Sequence, residues 1–185
     1  MNTKKTRDMA LCSLFVALLA VGSYIRIPTP AVPLTLQTLF VLLSGVLLGA
    51  KRGSVAVGIY LLLGLLGLPV FANGGGPAYV LQPSFGFLIG FVAGAFCAGV
   101  IAHQKPRASQ KRLLLANLAG LGVIYLCGLL YYPLIVGMYL KENIGWQSLF
   151  LYCFLLPLPG DLLLCVFGMA LSKRLLPVLE TKNYQ

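Results

Sequence analysis

The sequence predicts an all-α integral membrane protein that folds as one bundle of six transmembrane helices, a single domain over residues 1–185. Of these residues, 59% are hydrophobic and only 10% are charged, which leaves too little polar surface to cover a soluble globular domain. The hydrophobic residues also come in runs, close to the ~20 residues that a helix needs to cross about 30 Å of hydrocarbon. A membrane bundle explains both observations.

Six hydrophobic runs define the predicted helices in chain order. The fourth run places Gly86, Gly90 and Gly94 in one row, and small residues at this spacing let two helix backbones approach closely. We therefore expect a tightly packed bundle. The predicted spans are 8–25, 36–50, 53–68, 84–102, 112–139 and 148–172.

The distribution of the basic residues predicts the orientation of the bundle. In a six-span arrangement only Arg26 and Lys141 fall on one side of the membrane. The positive-inside rule then places both termini in the cytoplasm, and membrane topology explains the net charge of +10 better than nucleic-acid binding does. The basic residues on the cytoplasmic side are Lys4, Lys5, Arg7, Lys51, Arg52, Lys105, Arg107, Lys111, Arg112, Lys173, Arg174 and Lys182.

Two connections on the opposite side could contribute to a binding site. Prolines interrupt the segment 27–37, and it either dips into the bundle, bringing Thr35 and Gln37 toward a site, or forms an ordinary extracellular turn. The connection 67–83 contains three consecutive glycines together with apolar side chains, among them Phe71 and Tyr79. This composition favours a mobile loop that covers a ligand.

Asp161 is the acidic residue that lies well inside an apolar span, and it is the strongest candidate for a site. A carboxylate at that depth costs about 2.5–3.5 kcal/mol on insertion scales, so it normally faces the bundle interior with a partner or a ligand. A structural tie between two helices is the alternative. The chain has neither a nucleotide-binding Gly-x-x-x-x-Gly-Lys-Ser/Thr motif nor a metal-ligand or catalytic motif, so we expect no cofactor, no metal and no ATPase activity of its own.

Four segments in order along the chain are similar to the BioY family, the biotin-specific substrate-capture components (S components) of energy-coupling factor transporters. The resemblance extends from about residue 8 to residue 175. The segments are Pro28-Thr-Pro-Ala-Val-Pro-Leu-Thr-Leu-Gln-Thr-Leu, Gly64-Leu-Leu-Gly-Leu-Pro-Val-Phe-Ala, Pro83-Ser-Phe-Gly-Phe-Leu-Ile-Gly-Phe and Pro159-Gly-Asp.

This resemblance implies a six-helix S component of the cell membrane that captures biotin from outside. It also implies partners: a transmembrane coupling protein (T component) and two cytoplasmic ATPase subunits, which would use the ATP that this chain cannot. The small residues Ser13, Ala17 and Ala20 of the first helix resemble the surface by which such components dock. From spacing alone, the same residues also suit packing within the fold.

Residue by residue, the resemblance assigns Asp161 and Asn73 to the ureido ring of biotin, which offers two N–H donors and one carbonyl acceptor. Tyr79 and Phe71 would pack on the thioether ring, with Gln37 as a further polar contact. Arg26 either binds the valerate carboxylate or extends from the interface into water. Many family members place a lysine three residues after the aspartate, where this chain has Leu164.

Three other functions remain open at the level of sequence. The chain could be an integral-membrane enzyme that uses Asp161 as an acid or base, an S component for another small vitamin, or a facilitator that moves biotin without coupling partners. Turnover of a substrate would favour the enzyme, and uptake in cells that lack every coupling component would favour the facilitator.

Overall fold

A computed structural model describes residues 3–27, 32–104, 109–140 and 145–181. The described chain is almost entirely helical, and the predicted all-α membrane bundle is confirmed. Its helices are α1 Thr3–Tyr24, α2 Gln37–Leu48, α3 Ala50–Leu65, α4 Phe85–Ala102, α5 Gln110–Ile135, α6 Trp146–Phe150 and α7 Leu158–Thr181.

Four stretches of the described chain are long and apolar enough to cross a membrane, so the protein is a multi-pass membrane protein. The shorter α2 is also apolar. Two of the four include π-helical turns: Val136–Leu140 extends α5, and Leu151–Leu155 follows α6. The four stretches are Lys5–Tyr24, Phe85–Ala102, Gln110–Tyr139 and Gln147–Leu179.

Several helix ends differ from the predicted spans. The first helix begins at Thr3 rather than at residue 8, and the last continues to Thr181 rather than ending at 172. Hydropathy marks the part of a helix inside hydrocarbon, whereas the helix itself continues into the polar interface while no residue breaks it. The third helix begins at Ala50 because a single residue, Gly49, separates it from α2. Gly49 has φ 86°, a conformation that glycine adopts readily.

Glycines bring the central helices into backbone contact. A Cβ atom on Gly45 of α2 would lie 2.1 Å from the carbonyl oxygen of Ala95 in α4. The glycine row of α4 faces α5 in the same way, since a Cβ on Gly90 would lie 2.9 Å from the Cα of Ile124. At these contacts no side chain separates the backbone of α4 from that of α2 or of α5, as the glycine row in the sequence predicted.

Short elements that connect the α-helices lie at one end of the bundle. Between α1 and α2, strand β1 (Arg26–Ile27) pairs antiparallel with β2 (Leu34–Thr35). Prolines 28 and 30 of this connection lie outside the described residues. Between α3 and α4, the chain forms a 3-10 turn at Pro77–Leu81.

The opposite end of the bundle carries Arg7 and Arg52, two of the basic residues that predicted the cytoplasmic side. There Arg52 of α3 forms a salt bridge of 3.0 Å with Asp8 of α1. Arg7 and His103 line a cavity at this end together with Asp8 and Arg52. The start of α1, the end of α2 and the end of α4 thus meet at one end, as consecutive crossings require.

The backbone contact at Gly45 predicts a steric effect on stability. Gly45→Ala should destabilise the folded protein by about 1–3 kcal/mol, because a close-packed site cannot accept a methyl group without moving its neighbours. The measurement is the melting temperature of the purified protein in detergent, which should fall.

Gly122→Ala is the matched control for this substitution. No atom lies within 4 Å of a Cβ built on Gly122 in α5, and alanine favours a helix over glycine by about 1 kcal/mol. Its melting temperature should stay equal or rise. Equal melting temperatures for Gly45→Ala and the parent would contradict the packing described here.

Candidate functional site

A cavity lies between β2, the connection 66–84 and the helices α2, α4, α5 and α7. The space in it that water-sized spheres can occupy is about 60 Å³, and the cavity is partly open to solvent. Its lining combines polar side chains with an apolar wall. The lining residues are Val32, Pro33, Leu34, Thr35, Gln37, Thr38, Ala72, Tyr79, Ser84, Phe87, Leu88, Phe91, Ile124, Tyr125, Pro157 and Asp161.

Asp161 presents its carboxylate to this cavity from the first turn of α7. The residue is only 7% exposed. Pro159 suits the start of a helix, where its missing N–H costs no hydrogen bond, and a carboxylate there is stabilised by the helix dipole. The backbone N–H of Asp161 donates to the carbonyl of Pro157 at 3.1 Å. The local sequence therefore fixes the backbone that carries the acid.

A neutral hydroxyl binds the Asp161 carboxylate. The Tyr125 hydroxyl donates to Oδ2 at 2.6 Å, and Thr38 of α2 lines the same cavity. None of the described residues that line the cavity is a lysine, an arginine or a histidine. The acid is thus held by a hydroxyl donor from α5, with no cation among the described residues of the lining.

A second polar chain links β2 to the connection that follows α3. The Thr35 hydroxyl donates to Gln37 Oε1 at 3.2 Å, and Gln37 Nε2 donates to the hydroxyl of Tyr60. Tyr60 in turn donates to the carbonyl of Val70 at 2.9 Å. Thr35 and Gln37 both line the cavity, so the proline-containing segment does bring these two side chains to it.

Three aromatic rings fix the connection between α3 and α4. Phe71, 1% exposed, lies 5.5 Å from the ring of Tyr60 and 4.6 Å from that of Tyr79. Phe71 sits against Gly64, where any Cβ would overlap the ring. Tyr79 lines the cavity, whereas Phe71 is packed behind it. Burial raises the pKa of the Tyr79 hydroxyl, which keeps it protonated at neutral pH.

Arg26 and Asn73 lie together outside the cavity lining. The Arg26 guanidinium donates to Asn73 Oδ1 at 2.6 Å and to the carbonyl of Ala72. Tyr24 makes a similar tie by donating to the carbonyl of Pro69. Asn73 therefore does not line the cavity that holds Asp161 in this conformation, and its exposed amide binds the arginine. The prediction that both residues bind a ligand stays a prediction.

The remaining predicted positions lie on α1 and α7. Ser13 and Ala17 are exposed on α1, and Ala20 is partly buried against the main core. Leu164 packs in a separate apolar cluster that includes Leu39 of α2. Leu164 also lines a shallow groove beside β2 rather than the cavity that holds Asp161.

Sequence reasoning missed several residues of the cavity, above all Thr38 and Tyr125. The family pattern suggested a lysine at position 164 as the partner of Asp161, whereas a buried carboxylate is satisfied equally by hydroxyl donors. The available signal was the presence of hydroxyl side chains inside apolar spans, but several tyrosines fit that description. The missed apolar wall consists of Phe87, Leu88, Phe91 and Ile124.

Comparison with known proteins identifies the family. The family model described as "BioY family" matches residues 1–181. The chain belongs to the BioY family. A probable biotin transporter BioY of Lysinibacillus sphaericus is 37% identical over 181 residues, which cover 98% of this chain and 92% of that protein. The biotin transporter BioY of Thermotoga maritima is 48% identical over 123 residues, covering 66% and 72%.

A solved structure shares the fold of this BioY protein. It is the S-component for biotin from an ECF-type ABC transporter, and it matches with a TM-score of 0.81 at 24% identity. The match covers 95% of this chain and 93% of that one. The predicted family and the predicted S-component fold are therefore confirmed.

The contact between Arg26 and the connection 71–76 predicts a local change in dynamics. Arg26→Ala removes hydrogen bonds to Ala72 and Asn73, and a net loss near 1 kcal/mol should speed local opening about fivefold. The measurement is amide hydrogen exchange in residues 71–76. Arg52→Ala, at the opposite end of the bundle, is the control and should leave exchange in this segment unchanged. Equal exchange in all three proteins would show that Arg26 does not hold the loop.

Proposed function

We propose that this protein captures biotin in the cavity around Asp161 and acts as the substrate-binding S component of an ECF-type transporter in the cell membrane. The observation that carries the proposal is the buried Asp161 carboxylate, which Tyr125 holds and which lines a cavity with an apolar wall. Membership of the BioY family supports biotin as the ligand. Named relatives are transporters, and the membrane-enzyme alternative has no comparable support.

The cavity offers groups that match both parts of the biotin ring system. Asp161 accepts a hydrogen bond from one of the two ureido N–H groups. Donors for the ureido carbonyl are available from Tyr79 and Ser84, which line the cavity. The thioether ring packs against the apolar wall, chiefly Phe87 and Phe91. Asn73 reaches the ligand after its amide leaves Arg26.

Arg26 is suited to the valerate carboxylate at the outer end of the site. One of its nitrogens, Nη1, serves the connection 71–76, and a guanidinium has five N–H donors in total. The side chain is exposed at the end of the bundle away from the main basic cluster. Biotin then binds with its ring beside Asp161 and its acid toward water, which avoids placing two carboxylates together.

Transport energy comes from separate chains in this proposal. The sequence has no ATP-binding motif, so a T component and two ATPase subunits supply the coupling, with both termini of this chain in the cytoplasm. The exposed small residues Ser13 and Ala17 on α1 form the docking surface, with Ala20 at its edge. A large side chain there would keep a partner helix at a distance.

Binding of biotin to the purified protein tests this function directly. The parent should bind saturably at micromolar ligand or below. Asp161→Asn should weaken binding by roughly 10- to 100-fold, since one side of the amide presents donors to the ureido N–H groups. The measurement is equilibrium binding of labelled biotin in detergent.

Asp8→Asn is the matched control, because Asp8 lies at the opposite end of the bundle in its salt bridge with Arg52. Its affinity should equal that of the parent. Absence of saturable binding by folded parent protein would refute the biotin assignment. Retained binding in Asp161→Asn together with loss of turnover would instead favour an enzyme.

The docking surface gives a separate prediction. Ala17→Trp should leave biotin binding unchanged and reduce ATP-dependent uptake at least about tenfold, because a bulky side chain separates the helices. Leu126→Trp is the control: Leu126 is 59% exposed on α5 and lies outside the proposed surface. Uptake should be measured in cells with and without the coupling components. Uptake that persists without them would support a stand-alone facilitator.

A further inference from the structure

We propose that Tyr125 is a positioning residue that orients the Asp161 carboxylate toward an N–H donor of a neutral ligand group. This inference rests on the proposed function and specifies how the same site selects its ligand. It assigns a role to the hydroxyl that binds the acid within the protein.

The Tyr125 hydroxyl is committed to the acid. It lies 2.6 Å from Asp161 Oδ2, within the usual range for an O–H···O hydrogen bond. Tyr125 is 5% exposed and Asp161 is 7% exposed, so bulk water does not compete for this contact. The hydroxyl has one proton, and that proton serves Oδ2.

Aromatic neighbours hold the Tyr125 ring in place. Phe87 lies edge-on to it with ring centroids 6.0 Å apart, and Phe154 does the same at 5.3 Å. Phe87 is itself held close to Gly128, where a Cβ would lie 2.4 Å from the ring. Because α4, α5 and the π-helical turn before α7 all fix the ring, the hydroxyl cannot turn away without repacking the core.

The acceptor positions that remain on the acid define the ligand group. The Tyr125 hydroxyl occupies Oδ2, and a carboxylate accepts hydrogen bonds on both oxygens. The remaining positions suit an N–H donor of a neutral group such as a cyclic urea, whose two N–H bonds point away from each other so that one of them reaches the acid. No cation among the described lining residues competes for them. An anionic group at this depth would meet the carboxylate without a counter-charge, so the site rejects it.

A double-mutant cycle distinguishes positioning from simple structural support. The four proteins are the parent, Tyr125→Phe, Asp161→Asn and the double variant, with labelled biotin as the probe. Tyr125→Phe should weaken binding about tenfold, as the loss of one hydrogen bond to a charged group predicts. The double variant should bind no more weakly than Asp161→Asn, within about twofold, because Tyr125 acts through the acid.

A control and a ligand analogue complete the experiment. Tyr152→Phe makes the same chemical change at a tyrosine that is 38% exposed and outside the cavity lining, and it should bind like the parent. An analogue with a cyclic carbonate in place of the ureido ring keeps the shape and lacks both N–H donors. The parent should bind this analogue at least about tenfold more weakly than biotin.

Each outcome bears on a definite claim. Parent-like binding by Tyr125→Phe, or losses that multiply in the double variant, would overturn the positioning role while leaving biotin capture intact. Equal affinity for biotin and the carbonate analogue would overturn the assignment of the ligand group. Failure of the folded parent to bind biotin would overturn the proposed function and this inference together.

Discussion

A carboxylate inside the hydrocarbon layer must find hydrogen-bond donors within the protein, and in this bundle that requirement joins two helices. Asp161 on α7 accepts from Tyr125 on α5, and Thr38 of α2 lies in the same cavity lining. Leaving the acid without partners would cost several kcal/mol. The site therefore lies where these helices meet around the acid. The acceptor positions that Tyr125 leaves free on the carboxylate are available to a ligand.

The rest of the structure supports this meeting point. Backbone contacts at Gly45 and Gly90 bring α2 and α5 against α4, which carries the apolar wall of the cavity. The hydrogen-bond chain through Gln37 and Tyr60 then ties β2 and α2 to the connection that follows α3. The cavity, its wall and the connection after α3 are thus linked through backbone contacts and hydrogen bonds. In the proposed function, biotin supplies a further donor to the acid.

The sequence predicted the fold class because hydropathy reports directly on which segments lie in hydrocarbon. It also predicted Asp161 as a site residue, since an acidic side chain at that depth is costly without a partner or a ligand. Tyr125 and Thr38 were beyond reach, because residues far apart in the chain become neighbours only through the crossing of particular helices. The π-helical turns beside α5 and α6 have no sequence signal in the apolar pattern. For Asn73 the prediction concerned a bound state, whereas the structure shows its amide on Arg26.

The central claim is that Asp161, held by Tyr125, receives an N–H group of the ligand. A structure of this protein with biotin bound tests it most directly. The account predicts one ureido nitrogen within hydrogen-bond distance of the Asp161 carboxylate, about 2.7–3.2 Å, with the Tyr125 hydroxyl still on Oδ2 and the valerate acid toward Arg26. Biotin bound in this cavity with its ureido ring turned away from Asp161, or bound elsewhere on the protein, would contradict it.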